Sequence, residues 1–140
     1  MRSVMFIFLL ITFISSGCTI RVSSKDEVII TSEQIKQAFA AYNIPLSDPQ
    51  GLSPNNVFIR ILNGVKPEVY AISEDKLISF YVYSSNQEAK KGLSEFENIP
   101  ASFVMHSKNQ IANILLFYIA EDASTNVRIN EIVKGLLVTK

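Results

Sequence analysis

Two stretches decide the fold: Lys76-Leu77-Ile78-Ser79-Phe80-Tyr81-Val82-Tyr83, and the run from Gln110 to Ala120, QIANILLFYIA. The first is rich in β-branched and aromatic residues, which favour pleated backbone. Strand alternation places Leu77, Ser79, Tyr81 and Tyr83 on one face and Ile78, Phe80 and Val82 on the other. The wholly apolar second set predicts the core face. The second stretch is the most apolar segment after the N-terminus, which predicts a central strand covered on both faces. Working outward, Pro67 to Ile72 (PEVYAI) reads as a strand joined to Lys76–Tyr83 through a tight turn at Ser73-Glu74-Asp75. Ala101 to Ser107 pairs with Gln110–Ala120 in a second predicted hairpin, around Lys108-Asn109.

Helices flank these strands. Thr31-Ser32-Glu33-Gln34 has the form of a capping box, and Ile35, Phe39 and Tyr42 recur at helical spacing until Asn43 and Pro45 stop the helix. Ser85-Asn86-Gln87-Glu88 repeats the capping pattern ahead of the stripe Ala89, Leu93 and Phe96, which Pro100 closes. Gly92 weakens this helix by up to about 1 kcal/mol relative to alanine. Ile129, Ile132, Val133, Leu136 and Leu137 predict a C-terminal amphipathic helix capped by Ser124 or Thr125. Between the first helix and the strands, Pro45, Pro49, Gly51 and Pro54 mark a loop longer than most, read as a connector. Val57 to Leu62 forms a short strand or helical turn, and Asn63-Gly64 is a strong turn signal. The expected fold class is α+β: a small antiparallel sheet of about four strands, packed on one side by helices, in the order α-β-β-α-β-β-α over residues 31–140.

The N-terminus has a different composition. Met1, Arg2 and Ser3 carry one positive charge, and Val4 to Ile14 (VMFIFLLITFI) then run apolar except for Thr12. As a helix these eleven residues extend only about 16 Å, roughly half the hydrocarbon core of a bilayer. A charged start, a short apolar stretch and the small residues Ser15, Ser16 and Gly17 are the pattern of a secretory signal. Ile14-Ser15-Ser16-Gly17-Cys18 resembles a bacterial lipobox, with Gly17 and Ser16 matching the two positions before the cysteine and Ser15 standing where the family more often has leucine. The resemblance implies cleavage between Gly17 and Cys18 and a diacylglyceryl group on the Cys18 sulfur. Residues 1–17 are then a signal peptide and residues 18–30 a lipidated cysteine and tether; the other reading of Val28-Ile29-Ile30 is a strand start packed on the domain. The segments Leu62–Tyr70, Ile78–Phe96 and Asn113–Tyr118 are similar to small uncharacterised lipoproteins of Gram-positive bacteria, a resemblance that implies membrane anchoring and no particular activity.

Charge and residue counts then exclude whole classes of function. Thirteen basic and thirteen acidic residues in 140 leave no net charge and no basic run for nucleic acid. Twelve of the first eighteen residues are hydrophobic, so the 48% hydrophobic fraction of the chain reflects the N-terminus as well as a core. A single cysteine forms no disulfide within the chain, and a single histidine, His106, makes neither an HExxH site nor a multi-histidine metal centre. The pairs Asp26-Glu27, Glu74-Asp75 and Glu121-Asp122 fall in predicted turns, where adjacent carboxylates point apart. No catalytic, cofactor or metal site is therefore expected. Tyr70, Tyr81 and Tyr83 are the candidate interaction surface if the sheet leaves them exposed; if a helix covers that face, their hydroxyls find partners at its edge. The expected protein is a non-enzymatic binding or interaction domain on the extracytoplasmic face of the cell membrane, its only predicted partner the membrane through its lipid. The alternative is a small cell-envelope hydrolase or ligand-modifying enzyme without a recognisable motif.

Overall fold

In a computed structural model describing residues 27–74, 76–100, 107–119 and 122–138, alternation buries both faces of the sheet. Helix α1 (Ser32–Ala41) precedes a short 3-10 helix (Val57–Ile59) and the hairpin β1 (Glu68–Ser73) and β2 (Lys76–Val82). Helix α2 (Asn86–Glu97), the hairpin β3 (Ser107–Ile111) and β4 (Ile114–Tyr118), and helix α3 (Ala123–Gly135) follow. All neighbouring strands are antiparallel, in the order β1-β2-β4-β3. The two most apolar strands are thus the inner ones, and β4 is buried along its whole length.

Ile78, Phe80, Ile114, Leu116 and Tyr118 meet Ile35 and Phe39 of α1 and Ile129, Ile132 and Val133 of α3. Tyr81, Tyr83, Leu115 and Phe117 meet Phe58, Leu62 and, from α2, Ala89, Leu93 and Phe96. One-sided packing is therefore corrected to three layers. A side chain of the size of Leu or Phe contributes about 1.5–3 kcal/mol when buried, so a strand such as β4, apolar at every position, is most stable where both faces are covered.

Local sequence sets the ends of the elements. The Thr31 hydroxyl accepts from Gln34 N at 3.3 Å and Gln34 Oε1 accepts from Thr31 N at 2.8 Å, a complete capping box. At the other end of α1, Asn43 takes φ +53°, and the amides of Asn43 and Ile44 return to Ala40 O (2.9 Å) and Phe39 O (3.0 Å) in a Schellman arrangement. In α2, Ser85 accepts from Glu88 N at 3.2 Å, but the Glu88 carboxylate accepts from Asn63 Nδ2 at 2.8 Å rather than reaching back to the cap. Asn63 and Gly64, with φ of +44° and +73°, form the turn their pairing announces. Helix α3 is capped by Asp122, not by Ser124 or Thr125: Asp122 Oδ1 accepts from Thr125 N at 2.7 Å, and its other oxygen pairs with Lys76 at 2.5 Å.

Two boundaries differ from the sequence reading. The second hairpin turns at Ala112-Asn113, with Ala112 at φ +46°, rather than at Lys108-Asn109. Turning there buries Asn113 completely. Its Oδ1 accepts from Ile30 N at 2.6 Å, and its Nδ2 donates to Ile30 O at 3.0 Å and Tyr83 O at 2.7 Å. Ile30 is consequently buried in the core beside Ile35: residue 30, which one reading places in the tether, packs on the domain as the other reading has it, though with no strand there.

Gly92 has a role that helix propensity alone does not suggest. A Cβ there would collide with the Tyr83 hydroxyl and ring, so the close approach of α2 to Tyr83, just past the end of β2, depends on its absence. Gly92→Ala is expected to destabilise the domain by about 1–3 kcal/mol through overpacking, although alanine favours a helix by about 1 kcal/mol. Urea unfolding followed by circular dichroism measures the difference; an unchanged or increased stability would mean that α2 does not pack on Tyr83.

Candidate functional site

The three tyrosines do not form one surface. Tyr81 and Tyr83 are buried under the segment 58–62 and α2, with ring centroids 6.3 Å apart. Their hydroxyls donate to Arg60 O at 2.7 Å and Leu62 O at 3.2 Å. Burial, with the Glu95 charge adding to it, pushes the Tyr83 phenol up to about 12. Burial pushes Tyr81 higher still. Both are core residues whose polar tips satisfy the carbonyls of the segment that covers them. Of the two readings of that face, the covered one applies to Tyr81 and Tyr83, and they form no exposed interaction surface. Phe58 and Leu62, the covering residues, stand in the stretch read only as a short strand or turn.

Tyr70 lies on the opposite face, where it stacks on Phe80 at 5.7 Å. It forms one wall of an open cleft of about 490 Å³ between α1, β1 and the Asn43–Leu46 segment, lined also by Lys36, Ala40, Ile44 and Pro45. The Schellman ending of α1 puts Ile44 into the core and turns Pro45 and Leu46 along the cleft. At Ala71 the edge of β1 is closed, since Ser47 N donates to Ala71 O at 3.0 Å and Ala71 N to Ser47 O at 2.8 Å. The loop read as a mere connector therefore supplies both a cleft wall and an edge cover.

Polar groups meet at the rim of this cleft. Glu68 accepts from Ser32 Oγ at 2.5 Å and Tyr70 OH at 2.8 Å, and pairs with Lys36 Nζ at 2.8 Å. Lys36 Nζ also lies 5.7 Å from the centre of the Tyr70 ring, within cation–π range. Burial alone would raise the Glu68 carboxyl, but the bonds from Lys36, Ser32 and Tyr70 together outweigh it and hold the group below its ordinary range. The Glu68 carboxylate, and then Tyr70, hold the Lys36 ammonium above its own range. Burial, and next the Glu68 charge, raise the Tyr70 phenol. At neutral pH the cleft thus presents a fixed anion, a fixed cation and a neutral phenol. Proton transfer in catalysis favours a pKa near the working pH, and all three shifts run away from it. The arrangement suits recognition of an amphipathic molecule: an apolar floor with a cation and an aromatic ring at its rim.

Among the described residues no cluster of three or more His, Cys, Asp or Glu is placed to hold a metal ion. Gly17, Cys18 and His106 lie outside the described residues. No protein-family model matches the chain, and neither curated proteins nor solved structures include a match.

Opposite pH dependences are expected at the two ends of the scale. Glu68 has a lowered folded pKa, so its contribution to stability is complete above its unfolded value of about 4.5 and is lost as pH falls through the lower folded value. Tyr83 is raised from 10.0 to about 12, so its contribution is complete below pH 10 and is lost as pH rises toward 12. Urea unfolding at successive pH values is expected to show a plateau through neutrality and a decline on each side, with the acid decline shallower in Glu68→Gln. An acid limb identical in wild type and variant would show that Glu68 makes no such bonds.

Proposed function

We propose that the protein is a lipid-anchored binding domain of the bacterial cell envelope. Acylated Cys18 holds it at the extracytoplasmic face of the membrane, and the cleft between α1 and β1 takes a small ligand with an apolar body. The anchoring half of this reading is supported by the charged start, the eleven-residue apolar stretch and the Ser15-Ser16-Gly17-Cys18 sequence. Two acyl chains give stable attachment, since each buried methylene contributes about 0.8 kcal/mol. Among the described residues no helix is long and apolar enough to cross a membrane.

The observation that carries the binding half is the cleft itself: about 490 Å³ of open volume beside the Tyr70 ring, with the Lys36 cation at its rim. Such volumes lie within the usual range for small-molecule sites, about 300–1,000 Å³. The geometry favours a ligand whose apolar part lies along Ala40, Ile44 and Leu46 and whose polar head meets the Lys36–Glu68 ion pair at the rim.

Two measurements test the halves separately. In bacteria fed a labelled fatty acid, the wild-type chain is expected to carry label and to sediment with membranes, and Cys18→Ala to lose both. A Cys18→Ala chain that remains in the membrane fraction contradicts the anchor. With anilinonaphthalene sulfonate as the probe, an apolar anion, fluorescence enhancement on the native domain is expected to disappear in Ala40→Arg, which fills the cleft from an exposed position on α1. Equal enhancement in both chains places the probe elsewhere.

A further inference from the structure

The described residues expose seven large hydrophobic side chains: Val28, Ile29, Tyr42, Ile61, Val127, Leu137 and Val138. Four of them belong to one end of the domain, which follows from the directions of the elements. Asn113 grips Ile30 and Tyr83 where β4 begins, so Val28 and Ile29 precede the fold at that end. The Glu27 carboxylate accepts from Asn86 N at the start of α2, at the same end. Helix α3 begins at the other end, where Asp122 binds Lys76 at the start of β2, and its Arg128 donates to Tyr42 O at the finish of α1. Thirteen residues of helix rise about 20 Å. Its stripe Ile129, Ile132, Val133 and Leu136 stays buried in the core along that length, so α3 runs back along the sheet, away from the end where it starts. Leu137 and Val138, 48% and 80% exposed, therefore project at the end where Val28 and Ile29 are 41% and 49% exposed. Tyr42 and Val127 belong to the opposite end.

We propose that Val28, Ile29, Leu137 and Val138 form a lipid-contacting rim that settles into the interfacial layer of the membrane and holds the domain end-on. The proposal rests on the reading that Cys18 is acylated. Eight residues separate Cys18 from Glu27, a reach of at most about 32 Å even fully extended. The chain thus meets the fold at the end that carries the apolar rim, and an anchor at Cys18 brings that end to the lipid first. Lys134, in the last turn of α3, adds a cation at this end, suited to anionic headgroups. The nearby Glu27 carboxylate is turned toward the Asn86 amide. Outward-facing apolar residues beside a lipid anchor gain burial without any change in the fold. End-on seating also leaves the α1–β1 cleft, on the flank of the domain, open to solvent.

The chain contains no tryptophan, so one introduced indole reports on its own position. Acylated full-length mature protein is purified from bacterial membranes and reconstituted into phosphatidylcholine–phosphatidylglycerol vesicles, with and without acyl chains brominated close to the headgroup. Val138→Trp and Ile29→Trp test the rim, and Val127→Trp is the control at the far end. Circular dichroism of each variant checks the fold. A rim side chain buried to interfacial depth is expected to lose about half or more of its emission to the brominated lipid, and Val127→Trp to lose none. Protein that floats with the vesicles while neither rim tryptophan is quenched overturns the rim and leaves the anchor standing. Blue-shifted but unquenched rim emission also overturns it and assigns the face to a second copy of the chain. Equal quenching at all three positions overturns end-on seating. Protein that fails to float contradicts the anchor, and the proposal with it.

Discussion

The side-chain amide of Asn113 satisfies both backbone groups of Ile30 and the carbonyl of Tyr83 at once, and three parts of the chain depend on it. It joins the segment before α1, the end of β2 and the turn into β4, partners separated in sequence by 83 and 30 residues. All of this happens in the dry interior, since Asn113 and Ile30 are both buried. Each such bond contributes about 1 kcal/mol net, but a buried group left without a partner costs about 1–3 kcal/mol. Shape alone does not replace this residue: an aspartate would set a negative charge against two carbonyls, and a leucine would orphan all three backbone groups. The position of Asn113 also explains the hairpin. The chain accepts a positive φ at Ala112, unfavourable for a residue with a Cβ, because turning there places the amide where the clamp needs it.

Around the clamp the sheet is a middle layer, and this changes what its polar residues do. The hydroxyls of Tyr81 and Tyr83 serve as links to the carbonyls of Arg60 and Leu62 and pin the irregular segment before β1 over its face. The ring of Tyr83 in turn demands the bare backbone of Gly92. Ser79, on the same face, is fully buried and its hydroxyl has no hydrogen-bond partner among the described residues. On the opposite face, Tyr70 escapes complete burial because α1 ends at Ala41 and the Asn43–Leu46 segment after it walls the cleft rather than covering the ring. The polarity at the cleft rim is internally balanced by the bonds Glu68 makes to Ser32, Lys36 and Tyr70. Lys36 and Glu68 are each about two-fifths exposed, so their pairing fixes orientation and charge more than it adds stability.

Wherever a signal was local, the fold could be read from the chain. The Thr31 box, the Asn63-Gly64 turn, the strands at Glu68–Ser73 and Lys76–Val82, and the order of helices and strands all rest on neighbouring residues. The failures are long-range. Asn109 carries as good a turn signal as Asn113, and only the distant partners Ile30 and Tyr83 choose between them. Asp122 takes the cap in place of Ser124 and Thr125, whose hydroxyls donate to its carboxylate together with Lys76, 46 residues away. Alternation correctly divides β2 into two faces, but which elements cover the second face depends on Phe58 and Leu62, whose short segment has no periodicity to announce it. The cleft was legible in part. Tyr70 stood out by composition, while Lys36 and Glu68 each looked like an ordinary surface charge until α1 and β1 lay side by side.

These features give the molecule an axis. The clamp sets where the chain meets the fold, the end of α3 returns to the same place, and the cleft lies between α1 and β1 along the flank. Everything on that axis requires Ile30 to be an integral part of the domain. Hydrogen exchange of the isotope-labelled protein reads this directly, through the Ile30 amide that donates to Asn113 Oδ1. The clamp predicts that Ile30 exchanges as slowly as the amides of β4, through global unfolding. Exchange of Ile30 at the rate of an unstructured residue, while β4 stays protected, would contradict it.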